Sequence, residues 1–256
     1  MKSIIVCADD YGMSDDVDDA ILELIENQRI SATSCMTLMP SWKASARRLK
    51  ELEGQAAFGL HFDLGHFASL SNLMLGAMTR TLDQSAMKVT LNQQLDNFEN
   101  EVGRVPDYID GHQHVHSFPV IRDVLVSVIN QRYSTNPPWI RTPSVPLSGH
   151  DSALKALVIK GLNIGFNSII RERTSAKTNT SFAGLYSISE TANFPALMEG
   201  WVNNLDHHGL IMCHPAIKRT NVDHGLARVK EYEYLRSDRY IAHLDTNNVT
   251  LITHPE

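Results

Sequence analysis

Short apolar or β-branched runs alternate with amphipathic helical stretches along the whole chain, and this alternation limits the possible folds more than any other feature. Ser3 to Ala8 reads as a strand. Asp15 to Asn27 then carries Val17, Ala20, Ile21, Leu24 and Ile25 at the i, i+3, i+4 spacing of one helix face, with Ser14 placed to cap it and Asp15 and Asp16 in its first turn. Further strand-like runs lie at Ala32–Leu38, Ala57–Phe62, Tyr108–Gly111, Trp139–Arg141, Asn163–Phe166, Leu210–Cys213 and Val249–Ile252. Between them fall helix candidates at Trp42–Leu52, Leu91–Val102, Ile121–Gln131, Ala153–Lys160, Pro195–Asp206 and Val229–Leu244. Alternating β and α units predict a mainly parallel sheet, open or closed. With about seven or eight strands, a single (β/α) TIM-like barrel is the better expectation. No internal repeat or Pro/Ser-rich linker divides the 256 residues, so one domain over 1–256 is expected.

Two stretches fit the alternation poorly. Gly65 to Lys88 is rich in Leu, Met and Ser without a clear period, and Arg171 to Thr191 is polar and irregular. Long irregular segments in a compact domain serve as lids or binding loops, or are disordered, and the residues do not choose between these.

Charge and composition exclude several classes of partner. The formal net charge is −6 and no long basic run occurs, which argues against a nucleic-acid surface. Ile4 to Ala8 is apolar, but Asp9 and Asp10 cut it short of a signal peptide, and no run approaches the ~20 apolar residues of a membrane span. The expectation is a cytoplasmic protein with no membrane partner. Cys7, Cys35 and Cys213 are widely spaced within predicted strands and read as buried, reduced thiols rather than a disulfide framework or a thiolate metal site.

Residues capable of chemistry recur where predicted strands end. Asp9 and Asp10 close the first, His61 the third, Asp110 and His112 the fourth; Arg141 and His214 follow two later ones. In barrels and open parallel sheets alike, the C-terminal edge is where active sites assemble. Of the adjacent carboxylates Asp9 and Asp10, one can ligate a metal while the other accepts a proton, although the pair can also simply open the following helix. In Asp110-Gly111-His112-Gln113-His114-Val115-His116, three histidines at alternate positions share one face if the chain stays extended. That spacing does not say which of them binds a metal. His61, in Gly59-Leu60-His61-Phe62, reads as a core residue in isolation and as a ligand beside Asp10 and His112. His214, before Pro215, reads as a general acid or as a turn residue; Arg141 reads as a partner for Asp9, a substrate contact or a salt bridge.

Taken together, Ala8-Asp9-Asp10-Tyr11-Gly12, Gly59-Leu60-His61, Asp110 to His116 and Met212-Cys213-His214-Pro215 resemble the ordered signatures of the YdjC-like carbohydrate deacetylases. The resemblance runs in order from residue 8 to residue 215. It implies a barrel of the glycoside hydrolase/deacetylase kind, with one divalent metal ion held by Asp10, His61 and His112. It further implies Asp9 as catalytic base and His214 as a candidate acid. The metal implied is Mg²⁺, while the ligand set suits Zn²⁺ at least as well. Relatives often carry histidine where Gln113 stands, and more sequence between His61 and Asp110.

The function expected is hydrolysis of the N-acetyl group of an N-acetylated amino sugar or short chitooligosaccharide, with metal-bound water as nucleophile. His114, His116, Arg141 and Asp110 are then expected to contact substrate or orient the ligands. Two other readings stand beside it: a two-carboxylate glycosidase using Asp9, Asp63 or Asp110, and a non-catalytic metal- or sugar-binding protein. The expected partner is a small carbohydrate, and a homodimer is a family-level expectation.

Overall fold

The computed structural model describes residues 1–143, 161–218 and 224–255. Among these, eight parallel strands form one sheet, in the order β5-β4-β3-β2-β1-β7-β6. They are β1 (Lys2–Tyr11), β2 (Ala32–Cys35), β3 (Ala57–Phe62), β4 (Tyr108–Gly111), β5 (Trp139–Ile140), β6 (Phe182–Ala183), β7 (Gly209–Cys213) and β8 (Val249–Leu251). The last pairs with the start of β1, Lys2 opposite Val249. The sheet curls into a half-barrel. Among the described residues an isolated bridge between Ile140 and Thr178 links its two edges, with the Ile140 N–H donating to the Lys177 carbonyl at 2.9 Å.

The period of two along each strand explains what fills the barrel. Ile5 and Cys7 of β1, Ala32, Ala57, Tyr108, Trp139, Phe182, Leu210 and Met212 form an inner cluster. Ile4, Val6, Ala8, Phe58 and Ile211 instead join the outer layer beneath the helices. Continuing the inward series two residues beyond Cys7, Tyr108 and Trp139 gives Asp9, Asp110 and Arg141, and four residues beyond Ala57, past Gly59, gives His61. The upper layer of the barrel interior is therefore charged.

Helices cover the outer face: α1 (Asp15–Glu26), α2 (Trp42–Lys50), α3 (Leu70–Thr79), α4 (Gln84–Val102), α5 (Ile121–Arg132), α6 (Phe166–Arg173), α7 (Phe194–Asn204), α8 (Gly225–Leu235) and α9 (Asp238–Thr246). Ser14 caps α1 by accepting the Val17 N–H. Each buried Leu or Phe on α4, such as Leu91, Leu95 and Phe98, contributes on the order of 1.5–3 kcal/mol of transfer free energy.

The structure departs from the sequence expectations in four places. Asn163–Phe166 is not a strand; Gly165 takes φ 76° and Phe166 opens α6, a short apolar run being ambiguous by period alone. Gly65–Lys88 is not structureless: it holds α3, capped by Ser69, and the start of α4, capped by Asp83. Val229–Leu244 is broken into α8 and α9 at Ser237, whose hydroxyl accepts the Tyr240 N–H. Arg171–Thr191 carries the end of α6 and the short β6. The helix expected at Ala153–Lys160 lies outside the described residues.

Candidate active site

Strict alternation would send Asp10 outward among the helices, since Asp9 points in. The chain avoids this with an irregularity in the β1–β2 register between Ala8 and Tyr11, where Asp10 takes φ 73°. A left-handed conformation at a non-glycine residue costs about 1–3 kcal/mol. Neighbouring contacts hold it in place. Gly12 follows at φ 93° and donates its N–H to the buried Asp18 carboxylate of α1 at 2.6 Å. The Tyr11 hydroxyl donates to the Ser45 carbonyl at 2.7 Å. Both carboxylates thereby face the rim.

There Asp10, His61 and His112 converge, with one ligand atom of each lying within 4.8 Å of the others. Asp10 Oδ1 is 3.4 Å from His61 Nε2 and 3.2 Å from His112 Nδ1. The other nitrogen of His61, Nδ1, sits 2.6 Å from Asp110 Oδ1, which orients the ring so that Nε2 faces Asp10. The second oxygen of Asp10 accepts from Arg228 of α8 at 2.5 Å.

Asp9 occupies the adjacent inward position. Arg141, fully buried, donates to both of its oxygens at 2.6 and 2.8 Å and lies 3.0 Å from Asp110 Oδ2. Ser34 on β2 donates to Asp110 Oδ2 at 2.6 Å and pairs with the Tyr108 hydroxyl at 2.9 Å. Gly59 makes room for that tyrosine, because a Cβ there would sit 2.3 Å from the Tyr108 ring. His214, just past β7, places Nε2 3.9 Å from Asp9 Oδ2.

Electrostatics follow from this crowding. Burial alone would raise the pKa of Asp9, but Arg141 and then His61 hold it well below the usual carboxylate range. Asp10 is also lowered against its burial, by the hydrogen bonds from His112 and His61 and by Arg228. Burial works to lower His61, yet Asp110 and Asp9 push it up to about 10. Burial dominates at His214, bringing it down to about 4 despite the opposing pull of Asp10 and Asp9.

The segment after β4 is not extended. His112–Ser117 forms a 3₁₀ turn in which Gln113 and His114 take left-handed φ values of 53° and 61°. The three histidines therefore do not share one face. His112 stays at the rim, whereas His114 packs edge-on to Phe182 and His116 holds the Arg141 carbonyl at 2.7 Å. Burial lowers the pKa of both, leaving neutral imidazoles in the interior. Ser34, Tyr108, Arg228 and Glu231 were not legible as site residues. Glu231 lies inside the helix candidate Val229–Leu244 and Arg228 just before it, with nothing in their spacing to single them out, and Ser34 and Tyr108 stand in the strand-like runs Ala32–Leu38 and Tyr108–Gly111.

A family profile described as YdjC-like protein matches residues 3–246. Over 142 residues the chain is 30% identical to a chitooligosaccharide deacetylase of Proteus mirabilis (strain HI4320), covering 50% of this chain and 56% of that one. A carbohydrate deacetylase of Geobacillus stearothermophilus is 30% identical over 145 residues with the same coverage, so each match spans little more than half of the relative. A carbohydrate deacetylase of Clostridium beijerinckii (strain ATCC 51743 / NCIMB 8052) is 23% identical across 97% of both chains. Among solved structures, a candidate cellobiose-phosphate cleavage protein from Enterococcus faecalis V583 superposes with a TM-score of 0.71 at 18% identity, covering 98% of this chain and 97% of that one. The Xyl-CE4 domain of a multidomain xylanase from the hindgut metagenome of Trinervitermes trinervoides gives 0.50 at 10% identity, over 98% and 86%. These two likenesses concern the fold alone. The profile match over nearly the whole chain shows the family: the chain belongs to the YdjC-like protein family.

Proposed function

We propose that the protein is a metal-dependent carbohydrate deacetylase, removing the N-acetyl group from an N-acetylated amino sugar or a short chitooligosaccharide. The observation that carries this reading is the rim constellation: one Asp10 oxygen facing two imidazole nitrogens at 3.2 and 3.4 Å, beside the ionised Asp9 and His214. The donor set fits a divalent ion. One carboxylate and two imidazoles leave coordination positions free, and Asp110 directs the His61 ring toward the centre. Two nitrogen donors suit Zn²⁺ at least as well as the Mg²⁺ implied by resemblance. When bound, such an ion supplies Lewis acidity toward the amide carbonyl and toward water.

The chain's own residues handle the protons. Asp9, kept ionised by Arg141, accepts one proton of the attacking water as the oxygen bonds to the carbonyl carbon. The amide C–N bond then breaks, and the departing amine takes a proton from His214. With its pKa at about 4, His214 rests neutral and must gain the proton it gives away. Asp9, with an oxygen 3.9 Å from Nε2, returns it through an intervening water, and the second proton of the attacking water also passes to the amine, so that water and amide become acetate and ammonium with no net change in the site.

A glycosidase reading is disfavoured by the carboxylates themselves. Asp110 is fully buried and bonded to Ser34 and His61, out of reach of a sugar ring. We further propose a cytoplasmic protein acting on a small carbohydrate; among the described residues no helix is long and apolar enough to cross a membrane.

The test is acetate release from N-acetylated chitobiose and chitotriose, with and without chelator, and with Mg²⁺ or Zn²⁺ restored. Chelator-sensitive release supports the reading. No metal binding at all would remove both the Asp10–His61–His112 assignment and the mechanism.

A further inference from the structure

His214 stands at the open end of β7 with little to hold its ring. Its Nε2 is 3.9 Å from Asp9, beyond hydrogen-bond reach, and its buried Nδ1 has no hydrogen-bond partner among the described residues. The histidines at functional sites usually have one nitrogen tied to a carboxylate or carbonyl, which fixes the ring. Here the backbone must do that work. β7 ends at Cys213, and Pro215 has no N–H to offer.

Helix α8 supplies the missing anchors. Glu231, fully buried, accepts the His214 N–H on Oε2, while its Oε1 takes the Tyr186 hydroxyl at 2.5 Å. One turn earlier, the Arg228 carbonyl accepts the Ala216 N–H at 3.2 Å, and the Arg228 side chain reaches Asp10. On the other side, the Ile217 N–H donates to the Asp16 carbonyl at 3.0 Å. The 214–217 turn is thus pinned to two helices, and Arg228 and Glu231 span from the metal-ligand carboxylate to the His214 backbone.

A buried carboxylate is a costly way to satisfy one peptide N–H and one hydroxyl. Its place on α8, between the His214 N–H and the Tyr186 hydroxyl, is best explained by the direction it imposes. We infer that Glu231 is a positioning residue for His214, fixing the peptide from which the imidazole projects toward Asp9 and the leaving amine. This rests on the deacetylase reading for its catalytic consequence, but the positional claim stands on the hydrogen bonds alone.

The decisive comparison sets Glu231→Gln against Glu231→Asp in the full-length chain. Gln keeps an acceptor oxygen at the same reach and loses the charge; Asp keeps the charge and withdraws the acceptor by one methylene. Positioning requires reach, so Gln should retain kcat on N-acetylchitobiose within about threefold, while Asp loses about tenfold or more with KM and metal affinity nearly unchanged. Nitrogen NMR of the His214 ring, read without substrate, should move in Glu231→Asp and stay in place in Glu231→Gln. Unmoved His214 signals in a folded Glu231→Asp variant would overturn the inference, as would a Gln variant as impaired as Asp. If the wild-type chain releases no acetate, the functional reading fails and the ring signals still decide the positioning. Should Glu231→Asp not fold, Tyr186→Phe, which removes the hydroxyl that holds Oε1, should displace the same signals less strongly; no displacement there overturns the claim.

Discussion

Arg141 grips Asp9 through two parallel hydrogen bonds, at 2.6 and 2.8 Å, with neither residue more than 2% exposed at its side chain. This fork also lies 3.0 Å from Asp110, so one guanidinium faces two carboxylates of the barrel interior. Breaking such a buried pair by removing one partner costs about 3–5 kcal/mol, because the remaining charge is stranded. Arg141→Met should therefore lower stability in urea by that order and abolish acetate release. Arg141→Lys cannot reproduce the fork and should restore part of the stability but little of the activity. A methionine variant as stable and active as wild type would show that the pair is dispensable.

Asp9 can be tested apart from the proposed metal ligands Asp10, His61 and His112. Asp9→Asn preserves shape and one acceptor while removing the proposed base, so metal binding should persist and turnover should fall by about 10²–10⁴. Calorimetric titration with Mg²⁺ and Zn²⁺, run beside the acetate assay, separates the two effects. Loss of metal binding would place Asp9 among the ligands instead.

The placement of much of this candidate site is legible in the sequence because a period of two is simple. Once β1, β3 and β4 are located, the inward positions Asp9, His61 and Asp110 follow, and their boundaries at Ala57–Phe62 and Tyr108–Gly111 were legible to the residue. What stayed hidden depends on backbone torsion or distant packing. Asp10 reaches the rim only through its positive φ, and the Gln113–His114 reversal separates histidines whose spacing suggested a shared face. Arg228 and Glu231 lie more than 200 residues from Asp9 in the chain and carry no local mark of burial.

Protons and metal should compete at His61. Burial lowers its pKa, but Asp110 and Asp9 outweigh this and raise it to about 10, so the metal-free site holds a proton there at neutral pH. Ligation needs the neutral ring, and binding should release about one proton, with affinity rising up to about tenfold per pH unit between roughly 7 and 9. The sign for the metal-free protein is opposite. A raised folded-state pKa stabilises fully below the unfolded value of 6.5, and that stability drains away as pH climbs through 10. Titrations in two buffers of different ionisation enthalpy would count the released proton. Equal heats in both would mean that His61 is neutral before the metal arrives.

His214 makes the sharpest distinction between substrates. An amine leaving group needs a proton before the C–N bond can break, whereas a nitrophenolate leaves without one. If His214 delivers that proton, His214→Gln should cut deacetylation of N-acetylchitobiose by about 10²–10⁴ while slowing hydrolysis of 4-nitrophenyl acetate by no more than about tenfold. Its low pKa of about 4, set mainly by burial, makes it a strong donor once charged and leaves it uncharged between turnovers. Equal losses on ester and amide would mean that His214 serves the attack on the carbonyl rather than the departure of the amine. In that case the neutral ring, 3.9 Å from Asp9, would be accepting the proton that Asp9 takes from water.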